Sequence, residues 1–244
     1  MKNTFFKACL ITSALIQTST AHANELVSDI FTGWEGDIEA GANFASGNTN
    51  KENLRFGATL NKEGEAKAWG HTVKASAHSA TENNIRSEEK YRIIGQSRYN
   101  ISTTNYVFGE AEYVNERLNG YQYRVSEGIG YGHKFYNTKQ LRVAGEVSVG
   151  GRHSLDTQEV KENSALAKLS GKANWVINES IELAEDFSIS FADSTITLSE
   201  TSLKNKLSES LYLKVGVTIE HNSDVPSAKK NTDTLTSLSL GYKF

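Results

Sequence analysis

The sequence is poor in the residues that staple, kink or ligate. It has one cysteine, one proline and one methionine in 244 residues. The cysteine, Cys9, sits in an apolar stretch near the N-terminus. The chain beyond residue 23 therefore has no thiol, which excludes disulfides, thiolate nucleophiles and Cys-based metal sites there. The single proline, Pro226, leaves the backbone free to pair almost everywhere. No later segment approaches 18 consecutive apolar residues, so a helical membrane protein is excluded. An excess of basic charge is missing too. Lys and Arg number 26 against 29 Asp and Glu, a formal charge of −3. Such a chain has no surplus cations to set against phosphates, so nucleic acid is not an expected partner.

What is present begins with a leader. Lys2 and Lys7 flank the apolar Ala8–Ile16, and Ala21-His22-Ala23 is a small-x-small site. This order predicts a cleaved secretory signal peptide over 1–23, an apolar core too short to span a membrane as a helix, and a mature chain starting at Asn24 with a formal charge of −5. Cys9 directly follows Lys7-Ala8, which is not a lipoprotein pattern. Residues 24–33 read as an N-terminal periplasmic segment, and 34–244 as a barrel.

The barrel reading rests on period two. In the closing stretch Leu238, Leu240, Tyr242 and Phe244 alternate with Ser237, Ser239, Gly241 and Lys243, as in a strand with one apolar face and one polar face. About twelve such segments follow Trp34. Examples are Leu54, Phe56, Ala58 and Leu60 against Arg55 and Thr59, and Tyr91, Ile93, Gly95 and Tyr99 against Lys90, Arg92, Gln96 and Arg98. The expected fold is all-β: an antiparallel, transmembrane, up-and-down barrel of about twelve strands. An even count places both termini on the periplasmic side. The polar stretches 80–86, 153–163 and 221–231 read as the longest, extracellular loops. Trp34, Trp69, Tyr99, Phe135, Trp175, Tyr242 and Phe244 fall at periplasmic strand ends as an aromatic girdle. The final Tyr242 and Phe244 also have the form of the signal read by the barrel-assembly machinery. Two features resist. The tenth segment, 195–206, changes face between Leu198 and Leu203, which predicts a bulge. Glu127 and Glu185 fall on the lipid side, so either the register flips there or they lie shallow.

Inward positions carry charges of both signs: Arg92 and Arg98, then Glu110 and Glu112, then Arg124, with Arg142 and Glu146 further on. Adjacent strands lie ~4.8 Å apart, so these side chains are expected to form a cross-strand ladder. Glu35, Asp37 and Glu39 are expected beside Lys243 and Arg55. The ladder reads either as a pore that sorts solutes or as internal packing. Eight strands close to a filled interior and about sixteen leave a channel, so twelve with paired charges favours a narrow or occluded lumen. No catalytic, cofactor or metal residue is expected. His153-Ser154-Leu155-Asp156 holds the residue types of a hydrolase triad, but they are adjacent in what reads as a solvated loop. His71, His78, His133 and His221 lack ligand spacing, and Asp224 and Asp233 lack a calcium-loop pattern.

Three pieces carry a family resemblance: Ser46-Gly47-Asn48-Thr49-Asn50 after the opening strand, Arg124-Val125-Ser126-Glu127-Gly128-Ile129-Gly130-Tyr131, and Leu238–Phe244. With them the chain resembles the YdiY-like, salt-induced outer-membrane proteins. The resemblance implies an outer-membrane barrel with no established enzymatic activity, an envelope response to osmotic or ionic stress, and no catalytic residues to carry over. The expectation is a monomer in a Gram-negative outer membrane, with lipid and the assembly machinery as partners. It would be a structural or narrow-channel protein, or else a selective porin for a small polar solute.

Overall fold

The computed structural model describes residues 32–45, 51–64, 68–225 and 230–244. The leader 1–23, most of 24–33, the turn 46–50 and Pro226 lie outside the described residues. Twelve strands follow one another: β1 Glu35–Ala45, β2 Lys51–Glu63, β3 Trp69–Glu82, β4 Ile85–Asn100, β5 Asn105–Glu116, β6 Tyr121–Asn137, β7 Leu141–Asp156, β8 Lys161–Val176, β9 Ile181–Phe191, β10 Thr195–Lys206, β11 Leu211–Asn222 and β12 Thr232–Lys243. They form a closed barrel in which each pairs antiparallel with its sequence neighbours and β1 pairs with β12. These strands make up one compact unit, Glu35–Phe244; Trp34 directly precedes β1 and belongs to the N-terminal unit.

The alternation in sequence becomes an inside-out distribution of polarity. Ile38, Phe56, Ile93, Ile129, Val149, Leu169, Val215 and Leu240 are exposed on the outer surface. Among the described residues the buried groups include Glu116, Arg124, Glu146 and Arg152. A water-soluble domain buries the first set and exposes the second. Here the apolar face looks outward, where only lipid would cover it. Lipid offers backbone groups no partner, so every strand edge at that depth must pair, and closure of β1 on β12 meets the requirement.

That closure is the shortest seam. It runs from Asp37↔Lys243 to Gly41↔Ser239 and is extended below by reciprocal backbone bonds between Gly36 and Phe244, at 3.1 and 3.0 Å. Above Gly41, β12 continues along β11 alone, from Leu238 up to Thr232. The outer face of β12 changes there as well, from Leu238 and Leu240 to Thr236, Thr234 and Thr232. The free edge therefore coincides with a wet surface.

The far-side connections differ from expectation. Residues 80–86 are not a long loop. β3 and β4 continue to a two-residue turn, Asn83-Asn84, with both φ positive (50° and 65°). That is the turn geometry whose twist suits a hairpin, and Asn tolerates it better than most residues. Likewise 153–163 is mostly strand. β7 reaches Asp156, whose Oδ1 accepts from the backbone N–H of Gln158 and Val160 at 2.8 Å, and β8 starts at Lys161. The 16 or 17 residues of β4, β6, β7 and β8 exceed the ~9–11 that span a bilayer. Their surplus stands in water, so it is polar on both faces and imitates loop. Turns at the opposite end are short and locally capped: Ser102, Thr138, Asn178 and Ser208 each accept a hydrogen bond from a backbone N–H within their turn.

β10 has no bulge. Its register with β9 and β11 is unbroken, so Leu203 faces out while Leu198 faces the lumen. Register shifts lie elsewhere, at Ala80/Thr81, Val114/Glu116, Tyr121/Tyr123 and Lys134/Tyr136. Glu127 and Glu185 sit in continuous register and face outward. Glu185 is opposite Ala173, one outward position above the Trp175–Leu183 pair, and accepts hydrogen bonds from Ser199 Oγ (2.7 Å) and Thr201 Oγ1. Glu127 lies 3.6 Å from His153 Nε2.

Candidate functional site

Among the described residues the strands bring charged groups together in the lumen, and three cavities lie along it. A vestibule of about 1150 Å³ opens at the end that carries the chain terminus; Glu63, Asn100, Arg142 and Glu182 stand in its walls. Bacterial barrels hold that end in the periplasm. A chamber of about 60 Å³ follows, lined by Lys90, Arg92, Glu112, Arg124 and Glu220. A third cavity, about 210 Å³, lies at the opposite mouth beside Glu88, Glu116 and Asp233.

Side chains reaching across the barrel separate these spaces. Lys74 on β3 donates to Asp186 on β9 at 2.7 Å, joining strands six places apart in a ring of twelve. Arg92 on β4 holds Glu112 at 2.5 Å on β5 and Glu200 at 3.7 Å on the opposite strand, β10. Arg55 meets the other oxygen of Glu200 at 3.8 Å. Lys168 on β8 reaches Glu110 on β5 at 2.5 Å. One level further out, Lys90 bridges Glu220 on β11 (2.6 Å) and Glu116 on β5 (3.1 Å). Arg124 pairs with the same Glu116, and Arg152 with Asp193 at 3.0 Å, both pairs deeply buried. The layers of Arg92 and Lys90 fill the outer half of the lumen. Such pairs offset the desolvation of their own charges and add conformational definition more than net stability.

The predicted ladder residues all face inward, but most take other partners. Arg92 and Glu112 pair across adjacent strands as the spacing suggests. Arg98 passes over Gly70, which has no Cβ to block it, and pairs with Glu63 on β2. Glu110 is taken by Lys168, and Arg124 by Glu116. Glu146 accepts from Lys172 (3.2 Å), Tyr106 Oη (2.8 Å) and Ser170 (3.2 Å). Arg142 donates to Asn174 Oδ1 at 2.9 Å. Asp37 and Glu39 pair with Lys204 (3.6 Å) and Lys214 (2.9 Å), not with Lys243 and Arg55. The reason is steric. Glycines at inward positions leave room for long neighbours to lie flat: Glu39 over Gly57, the Tyr212 ring over Gly241, the Tyr106 ring over Gly132. The contributions of Tyr106, Tyr212, Lys74, Lys90, Lys168, Asp186, Glu200 and Glu220 escape the ladder reading. A glycine directly opposite a bulky inward residue on the neighbouring strand is the signal that could have found Tyr106 and Tyr212.

The remaining sequence candidates separate. Trp69 and Tyr99 pair on the outer face with ring centroids 5.1 Å apart, and Phe135, Trp175, Tyr242 and Phe244 are exposed at the same end. His153 points outward and its Nδ1 lies 2.6 Å from Asn163 Oδ1, while Ser154 is buried in the lumen, 3.5 Å from Asp193. Alternation on a strand puts these two groups on opposite faces, so they share no site. No cluster of His, Cys, Asp and Glu among the described residues has the geometry of a metal site.

A twelve-stranded barrel with an apolar exterior and a charged lumen can be compared with known proteins. The family model described as a protein of unknown function, DUF481, matches residues 38–244. The chain belongs to that family. It is 33% identical over 210 residues to the uncharacterized protein YdiY of Escherichia coli K12, covering 86% of this chain and 82% of the relative. Among solved structures it is similar in fold to the NanC porin, with a TM-score of 0.52 at 12% identity over 86% of this chain and 98% of that one. It is also similar to the COG4313 outer-membrane channel of Pseudomonas putida F1, with a TM-score of 0.52 at 8% identity over 86% and 95% of the two chains. At such identities the likeness establishes the outer-membrane barrel fold.

Proposed function

We propose that this protein is a narrow, gated channel of a Gram-negative outer membrane, exported by its leader and inserted as a monomer. One observation carries the reading: the pairs from Arg92 and Lys90 to Glu200 and Glu220 cross the lumen between a wide vestibule and the outer mouth. A filled barrel built only for packing has no use for a vestibule of about 1150 Å³. An open porin has no use for bridges across its path. Tyr242 and Phe244 serve as the assembly signal, and no catalytic residue is assigned. The envelope-stress role rests on the resemblance to salt-induced outer-membrane proteins and on the sensitivity of ion pairs to ionic strength.

Single-channel recording in planar bilayers tests this. The gated reading expects long closed periods with brief, small steps. Steady steps proportional to bulk salt would instead support the second reading, a selective porin for a small polar solute, which the size of the vestibule favours.

A further inference from the structure

The connection between β9 and β10 does not stand free in water. β8 pairs with β9 only from Ala167↔Phe191 to Val176↔Glu182, so residues 161–166 of β8 continue past the connection without a β9 partner. Residues 192–194 lean against the inner face of that taller wall. The backbone N–H of Asp193 donates to Ser164 Oγ on β8 at 3.2 Å. The Asp193 carboxylate turns into the lumen, where its side chain and that of Arg152 are each 5% exposed. Arg152, on β7, donates from Nη1 to Asp193 Oδ1 at 3.0 Å, and Ser154 Oγ donates to Oδ2 at 3.5 Å.

Two facts set this contact apart from the other ion pairs of the lumen. The carboxylates of those pairs belong to strands, where the backbone ladder fixes them. Asp193 belongs to a three-residue connection, which can swing beyond the Phe191↔Thr195 pair without breaking a ladder. The second fact is that Arg152 has supports of its own. Its Nη2 donates to Ser190 Oγ at 3.0 Å and its Nε to Ser126 Oγ at 3.4 Å. The guanidinium therefore keeps its place when the carboxylate leaves. What Asp193 vacates is a fixed guanidinium edge beside a hydroxyl, two donors set for two oxygens of one acid group.

We propose that Arg152 and Ser154 form a site for the carboxylate or phosphate group of a solute entering from the outer mouth, that Asp193 fills it as an internal ligand, and that the β9–β10 connection is a lid released when an external oxyanion takes its place. Arg152, Ser190 and Ile196 also line the chamber of about 60 Å³, so the site adjoins that space. The acidic groups of the outer mouth do not bar the approach: Glu116 and Glu220 are held by Lys90, and Lys230 stands among them. The inference goes beyond the channel reading, since an oxyanion binds here whether or not it passes the layers of Lys90 and Arg92.

The chain beyond residue 23 has no cysteine, so Ser194→Cys puts a single thiol on the lid. Ser194 is 4% exposed and its Oγ makes no hydrogen bond among the described residues, so the change removes none. The full barrel, folded in detergent, is treated with a small methanethiosulfonate reagent. The thiol reacts about tenfold faster in phosphate or in acetate than in chloride of the same ionic strength, as expected when a ligand replaces one charge-assisted hydrogen bond. The faster of the two identifies the preferred group. Equal rates in all three salts would make the contact a fixed anchor and overturn the proposal. Calorimetric titration with inorganic phosphate gives a second readout. Asp193→Ala removes the internal competitor and binds about tenfold more tightly than the unaltered chain, because apparent affinity falls with the fraction of sites that are free. Adding Arg152→Gln abolishes that binding. An Asp193→Ala barrel that binds phosphate no better than wild type also overturns the proposal. The heat-dependent mobility shift reports that each variant is folded, and the labelling rates decide alone if Arg152→Gln does not fold. Conductance judges the gate separately: steady conduction contradicts the gate and leaves the lid standing, and a lid thiol indifferent to phosphate leaves the gate standing.

Discussion

Removing Lys90 and Arg92 together takes away both cations by which β4 reaches across the outer half of the lumen. The double variant Lys90→Ala/Arg92→Ala leaves Glu116, Glu220, Glu112 and Glu200 facing one another. At an effective dielectric of about 20, a unit-charge pair at the 2.6 Å of Lys90–Glu220 is worth roughly 6 kcal/mol gross, and one at the 3.7 Å of Arg92–Glu200 roughly 4–5 kcal/mol. Desolvation offsets most of this in the native barrel. In a dry interior, stranding one partner of a buried pair costs ~3–5 kcal/mol; here the emptied lumen admits water to the carboxylates, so the net loss is about 1–3 kcal/mol per cation. The backbone ladder is untouched, and the barrel still forms. Conductance in bilayers should rise several-fold over wild type. The reversal potential in a salt gradient should shift toward cation selectivity, because the constriction has lost two positive charges and kept its carboxylates. Unchanged conductance, or a shift toward anions, would refute the assignment of these layers as the gate.

Three further outcomes follow from individual positions. Gly241→Ala places a Cβ 2.1 Å from the Tyr212 ring, which must leave Asp37, so the melting temperature falls by an amount equivalent to ~1–3 kcal/mol of overpacking, whereas Gly95→Ala, with open space around it, costs little; thermal unfolding in detergent compares them. Deleting Phe244 removes its two backbone bonds to Gly36, together ~1–3 kcal/mol, along with the aromatic end of the assembly signal, so the amount of heat-modifiable protein in the outer membrane drops; equal amounts would deny both roles. Glu185→Leu replaces a lipid-facing carboxylate and stabilises the reconstituted barrel by about 1 kcal/mol in urea unfolding; a loss of stability would mean that its hydrogen bonds with Ser199 and Thr201 outweigh the cost of a charge at that depth.

Strand number, facing and closure were legible because alternation is a local signal. Leu54 through Leu60 needs only its own neighbours to show which side is apolar. The partners of lumen charges were not legible in the same way. Arg92 and Glu112 belong to consecutive strands, and simple spacing pairs them. Lys90 and Glu220 are 130 positions apart, and what brings them together is the shape of the closed ring rather than any local pattern. The missed hairpin at Asn83-Asn84 has another cause. Beyond the bilayer both faces of a strand are wet, so period two disappears while the backbone ladder continues. Leu198 misled for a related reason: an apolar side chain facing the crowded lumen sits against other side chains much as an outward one sits against lipid, and periodicity cannot separate the two.

The most direct test of the central claim exploits the absence of cysteine after Cys9. A single Ser202→Cys substitution puts a thiol in the vestibule, and Asn231→Cys puts one at the outer mouth. Whole cells are treated with a maleimide too large for general porins, and purified protein in detergent is treated in parallel. A lumen open on the terminus side and shut on the other predicts that Asn231→Cys is labelled on cells and that Ser202→Cys is labelled only after purification. Labelling of Ser202→Cys on cells in the otherwise wild-type barrel would contradict the account.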